Sequence, residues 1–304
     1  MKNTLLKLII CFSFSVTLLF SAHGHEETIT EAHTHNDNKK FDIVHLSKKE
    51  KKWIQNNKIK IGITQWKPMI YSSGFNKMNG ITSDILKLVF NSVDIKYVLV
   101  NDTWTNHLTN LKDKRVHLLP ATYYTQERAS FGLYSKSYYK MKEYVFVEKD
   151  NLNIKSILDL HNKTVAITKS YGSLNEFKSR FPNANILLTE TVDESITKVL
   201  NGEADALLDA QIAVDDWIEQ KGVTNLRVID EDVVFPSSLH LYTQKNKEIL
   251  HNILQKGLDS IKASDLMNSN NDWLTSRNTT EVSAINTLGN NHLLWFIFGA
   301  IILL

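Results

Sequence analysis

Apolar and polar residues alternate through Lys58–Ile63, written Lys-Ile-Lys-Ile-Gly-Ile, which is the period of a strand with one buried face. Residues 47–56 precede it with Ser47 and, three positions on, Glu50; that capping-box spacing predicts a helix. Pro68 prevents a helix through 65–71, so that segment is read as irregular. An amphipathic helix is expected over 80–90, a strand over 97–100, a helix over 104–111 and a strand over 117–120. The order β, α, β, α, β predicts an α/β architecture with a largely parallel sheet. Ligands of such sheets sit beyond the carboxyl ends of strands, where Trp66 and Arg128 both fall.

A strand over 144–147 ends in charge, and a second α/β unit follows. It reads as a short helix at 156–160, a strand at 164–167, a turn at 170–173 and a helix at 174–181. Next come a strand at 185–188, a helix at 192–201 stopped by Gly202, a strand at 204–209 and a helix at 211–220. Strands at 226–229 and 238–243 and closing helices at 246–262 and 267–274 complete it. The two units share a plan without a repeating sequence pattern.

The ends change the picture. Residues 1–24 open with Lys2 and Lys7, continue through an apolar run and finish in Ser21, Ala22 and Gly24, the pattern of a cleaved signal peptide. A retained signal anchor is the alternative. Residues 25–45 form a polar leader with His25, His33 and His35, expected to be solvated and disordered rather than metal-holding. Residues 293–304 are apolar throughout with Trp295 near the start, as expected of a transmembrane helix entered at about residue 292 and cut short. A cytoplasmic part is then expected to follow. The folded part would be a periplasmic domain anchored in the inner membrane.

Length and charge narrow the classes. The chain has 304 residues, enough for one large domain or two lobes. A net charge of +2 gives no electrostatic case for nucleic acid. Cys11 is the single cysteine and lies in the first apolar run, so a form lacking that run has no thiol chemistry.

Candidate chemistry gathers after the strand at 117–120. Thr122, Tyr123 and Arg128 stand together there, in a stretch read as a loop of hydroxyls and aromatics that extends to Tyr139. A guanidinium fork matches a carboxylate, and hydroxyls can complete the site. Trp66 and Tyr71 can stack on a ligand or plug the end of a core. Ser170, Tyr171, Gly172 and Ser173 precede a helix whose first amides suit an anion, or make a plain cap. Asp209 ends a strand, facing a ligand or capping the next helix.

Taken in order, the leading helix Lys48 to Asn56, Ile59-Lys60-Ile61-Gly62-Ile63, Trp66-Lys67-Pro68, residues 80–84, 118–122, 125–128, 165–167 and 202–206 resemble the type 2 periplasmic solute-binding fold, in extracellular solute-binding protein family 3. The resemblance spans about 46–274. It implies a two-lobed clamshell, with lobe 1 at about 57–145 and 240–274 and lobe 2 at about 146–239. By the same resemblance Arg128 holds a ligand carboxylate, Asp209 holds its amino group, the turn Ser170 to Ser173 adds bonds from lobe 2, and aromatics near Trp66 and Tyr71 line lobe 1. Tyr123 stands where amino acid binders place a small hydroxyl residue, and Ser170 replaces a usual glycine.

The order of leading helix, binding module, linker at 275–291 and membrane span resembles the sensing part of membrane-bound histidine kinases and diguanylate cyclases. The expected partners are a small amino acid or carboxylate, the inner membrane and, for a sensor, a second copy of the chain. Two other functions stay open: a free binding protein serving an importer, and a dehydratase-like enzyme of the same fold. No cofactor, metal or catalytic residue is assigned.

Overall fold

A computed structural model describes residues 44–229, 234–262 and 264–266. The signal peptide, most of the leader, the helix expected at 267–274, the linker and the membrane span lie outside the described residues. Among the described residues, no helix is long and apolar enough to cross a membrane.

Helix α1 (Lys48–Asn56) starts at the expected box: Glu50 N donates to Ser47 Oγ at 3.2 Å, and Ser47 N donates to Glu50 Oε2 at 2.7 Å. Strand β1 (Lys58–Ile63) buries Ile59, Ile61 and Ile63. Next, Trp66 and Ile70 exchange backbone bonds around a cis Lys67–Pro68 peptide. A hairpin of β2 (Tyr71–Gly74) and β3 (Lys77–Asn79) follows, which periodicity had not suggested. Its turn uses Asn76 in the left-handed region at φ 52°, a conformation asparagine tolerates. Helix α2 (Ile81–Val93) buries Ile81, Ile85, Leu86, Val89 and Val93 at helical spacing. Strand β4 (Lys96–Asn101), helix α3 (Trp104–Lys112), strand β5 (Leu118–Tyr123) and a single turn α4 (Gln126–Ala129) complete the first half.

The stretch after Arg128 departs from expectation. It is not a loop but the opening of β6 (Gly132–Glu148), of which the expected strand at 144–147 is only the end. Aromatics and hydroxyls accept a strand there because the segment pairs along its length with the returning strand at 235–244, and tyrosine rings can bury a body while pairing a hydroxyl. Tyr138 does so, donating to Pro120 O at 2.8 Å.

The second half contains a 3-10 turn (Ile157–Leu160), β7 (Thr164–Thr168), α5 (Leu174–Arg180), β8 (Asn185–Thr189), α6 (Val192–Leu200), β9 (Ala206–Ala210), α7 (Gln211–Lys221) and β10 (Leu226–Val228). Strand β11 (Phe235–Gln244) returns to the first half, and α8 (Glu248–Asp259) closes it. One mixed sheet runs in the order β4-β1-β5-β11-β6-β9-β7-β8, with β10 pairing β6. Strand β1 is parallel to β4 and β5; β7 is parallel to β8 and β9. Between these parallel triplets, β6 and β11 run antiparallel and cross from one half to the other.

Each half has its own core. In the first, α2 and α8 cover Ile59, Ile61 and Leu118 with Leu86, Val89, Leu250 and Leu254. In the second, Val165 and Ile167 pack on one face of β7 with Phe177, and Ala166 packs on the other with Ile196. Burial on both faces is what a parallel sheet flanked by helices requires. Each fully buried leucine or isoleucine contributes about 1.5–3 kcal/mol. Helix α1 is tied to α8 by Lys256 Nζ and Glu50 Oε2 at 2.8 Å.

Candidate functional site

The parallel strands of both halves point their carboxyl ends at one cleft. From the first half come Thr64, Gln65 and Trp66 after β1, Ala121 and Tyr123 on β5, Trp104 at the start of α3, and Arg128 on α4. From the second come Thr168 at the end of β7, Tyr171 and Gly172 in the following turn, and Glu190 to Val192 at the start of α6. They enclose about 40 Å³, room for roughly three waters at about 10–15 Å³ each. Cavities of about 300 and 400 Å³ adjoin it, the first sharing Trp66 and Val192, the second Arg128 and Gly172.

Arg128 is placed by its cap: Arg128 N donates to Thr125 Oγ1 at 3.2 Å, which starts the short helix. The side chain is buried, and its fork is engaged by the protein. Nη1 donates to Tyr123 O at 2.9 Å, and Nη2 donates across the cleft to Ser170 O. Trp104 Nε1 donates to the same Ser170 carbonyl at 2.9 Å, and the Trp104 ring lies 5.3 Å from the guanidinium carbon. Ser170 presents that carbonyl from the left-handed region, φ 59°. Burial works against the guanidinium charge and pulls its pKa down, partly opposed by Tyr134 and Tyr242.

Behind the rings lie two carboxyl groups. Asp209 on β9 and Glu143 on β6 are both fully buried. Burial pushes the Asp209 carboxyl well above its ordinary range, and the nearby Glu143 charge adds to this; its Oδ1 accepts from Ala210 N at 2.7 Å. Burial likewise raises Glu143, to about 7, against a downward pull from Ser173 and Tyr123. Yet both Glu143 oxygens, Asp209 Oδ2, Tyr123 OH, Ser173 Oγ and Thr168 Oγ1 have no hydrogen-bond partner among the described residues. The Ser173 and Tyr123 hydroxyls are the donors that favour the charged form of Glu143.

The structure brings together most of the residues singled out from the sequence. Trp66 meets Tyr123 edge-on at 5.9 Å and Tyr171 at 6.1 Å between ring centres. Gly172 lets the two halves close, since a Cβ there would lie 2.9 Å from Tyr123 Cβ. Asp209 and Ser173 are buried without lining the cavity, and two further residues stand apart from it. Thr122 points to the other face of β5 from Ala121 and Tyr123 and donates to Leu119 O at 3.3 Å. Tyr71 sits on β2, half-buried, with Lys67 Nζ 5.3 Å from its ring centre, and does not line the cavity.

Sequence reasoning passed over Trp104, Glu190 and Glu143. Glu143 did leave a signal: in Lys-Met-Lys-Glu it shares the inward parity of Met141 on an alternating strand. Among the described residues, no three His, Cys, Asp or Glu side chains converge as a metal site would need.

Residues 59–276 match the family model of bacterial extracellular solute-binding proteins, family 3. The chain is 21% identical over 238 residues to the virulence sensor protein BvgS of Bordetella pertussis, covering 77% of this chain and 19% of that protein. The solved periplasmic VFT2 domain of BvgS superposes with a TM-score of 0.69 at 21% identity, covering 75% of this chain and 99% of the domain. The sensor protein EvgS of Escherichia coli strain K12 is 23% identical over 238 residues, 77% of this chain and 20% of that protein. The chain thus spans about one fifth of the length of these sensors. The arginine-, lysine-, histidine-binding protein ArtJ of Geobacillus stearothermophilus superposes with a TM-score of 0.65 at 22% identity, covering 71% of this chain and 95% of that one. The two-lobed α/β fold is what these solved structures share with it, and the chain belongs to the bacterial extracellular solute-binding proteins, family 3.

Proposed function

We propose that this chain is the periplasmic sensing part of a membrane-anchored signalling protein, closing on a small amino acid or carboxylate. The observation that carries the reading is Arg128 donating across the cleft to the Ser170 carbonyl. The guanidinium is one of the points at which the two lobes grip each other, beside Trp104 on the same carbonyl and Thr105 on the Ser170 hydroxyl. A ligand carboxylate entering an opened cleft replaces that carbonyl with a stronger, charge-assisted partner. The ligand then shifts the open–closed balance by its difference in affinity for the two states.

Closure has a route outward. Helix α8 is clamped to α1 through Glu50 and to β6 through Lys136 Nζ and Asp259 Oδ1 at 2.7 Å. Strand β6 crosses between the lobes, so a change in their angle reaches α8 and the chain beyond it. The signal peptide, the span after residue 292 and pairing of two copies at the inner membrane belong to the same reading. The sensor proteins it resembles support it.

A thermal-shift screen of amino acids and small carboxylates on the purified chain tests the reading. Arg128→Ala should abolish the shift given by any hit while leaving the far-UV spectrum unchanged. Wild-type affinity in that variant would remove Arg128 from the site.

A further inference from the structure

We propose that the groove between α3 of the first lobe and Leu174 and Leu188 of the second is a separate binding site. It takes a small carboxylate with an apolar body, and the anionic head rests on Lys112. This goes beyond the solute-binding reading above. The groove holds about 400 Å³ against about 40 Å³ for the inner cavity, and Lys112 does not line that cavity.

Shape is the first support. The first lobe supplies one stripe of α3: Thr105, Leu108 and Lys112 are spaced by three and four residues and share a face. At 1.5 Å per residue the stripe runs for about 10 Å, the reach of a medium acyl or phenylalkyl chain. Phe131, just after α4, extends this wall. The second lobe answers with Leu174 at the start of α5 and Leu188 near the end of β8. The volume falls in the range of small-molecule sites, roughly 300–1,000 Å³.

The lining is the second. Leu108, Phe131 and Leu174 are half-buried, and Leu188 keeps 42% of its surface exposed. Apolar surface gathered from two lobes and left facing water marks a place that another molecule covers. Charge says which molecule. Lys112, Lys169 and Arg128 line the groove against one acid, Glu127. Arg128 is engaged by Tyr123 O and Ser170 O, and Lys169 by Glu190. Lys112 makes no ion pair among the described residues. Its ammonium stands 4.3 Å from the centre of the Phe131 ring, a contact that holds the charge against the apolar wall. An anion on Lys112 with an apolar chain along Leu108 and Leu188 meets both needs at once.

Such an occupant touches both lobes. Next to it Thr105 Oγ1 and Ser170 Oγ meet across the lobes at 3.2 Å, beside the Arg128–Ser170 bond. A molecule lying on both walls binds tightly only while they face each other, so it favours that arrangement by its difference in affinity.

Isothermal titration calorimetry of the purified chain with octanoate and 4-phenylbutyrate is the test. Octylamine reverses the charge of the head, and acetate lacks the body. Both apolar carboxylates should bind saturably at one site, and octylamine and acetate should not. Lys112→Gln should weaken binding roughly tenfold, as loss of a charged hydrogen bond implies, and Lys112→Arg should restore it. Leu188→Gln, at an exposed position, should weaken it several-fold. Unchanged affinity in both Lys112→Gln and Leu188→Gln would put the carboxylates elsewhere and overturn the site. Equal binding of octylamine, or no binding of either apolar carboxylate, would do the same. Light scattering of Leu188→Gln adds a last check: half the wild-type mass would show a second copy of the chain on this face, and no ligand site.

Discussion

Replacing Glu143 by glutamine should make the ligand-free protein more stable, and only at neutral and higher pH. The carboxyl is fully buried, and its pKa rises from 4.5 in the reference state to about 7 in the fold. Between those values the native state holds a proton that the unfolded chain releases. Stability therefore falls as pH climbs through that window and is unaffected by this group below about 4. The gap corresponds to about 3 kcal/mol at about 1.4 kcal/mol per pH unit. Glutamine keeps the shape and removes the titration, so the variant should gain about that much at pH 8 and almost nothing at pH 4. Urea unfolding followed by tryptophan fluorescence at both pH values measures it. A midpoint rise of about 1 M at pH 8 is expected for an m-value of about 3 kcal/mol/M. An equal effect at both pH values, or a loss of stability at pH 8, would refute the account of Glu143 as a buried acid without a cation.

Other substitutions probe closure and local structure. Gly172→Ala places a methyl 2.9 Å from Tyr123 Cβ, near the backbone of the opposite lobe, so neither side can yield cheaply; small-angle scattering should show a larger radius of gyration, and an unchanged radius would mean that this contact does not limit closure. Ser47→Ala removes the acceptor for Glu50 N in the capping box of α1. It should cost about 1 kcal/mol of unfolding free energy, and a change within about 0.3 kcal/mol would show α1 to be held by the Glu50–Lys256 pair and packing instead.

Sequence alone determined the α/β class, the helix start at Ser47, the strand Lys58–Ile63 and the placement of Trp66, Tyr123, Arg128 and the 170–173 turn at strand ends. These follow from local period and capping chemistry, which need no knowledge of distant neighbours. Sequence also marked Tyr123 as out of pattern, and that residue lines the cavity. Only the tertiary structure decided what those residues do to one another. Strand β6 is one continuous crossing element because β11 and β9 pair it from either side, and pairing partners are remote in sequence. Arg128 is answered by a backbone carbonyl of the other lobe, a partner that no side-chain pattern records. Glu143 follows the exposed Lys140 and Lys142 in sequence. Burial made it an acid, since desolvation depends on what packs around a group and not on which residues precede it.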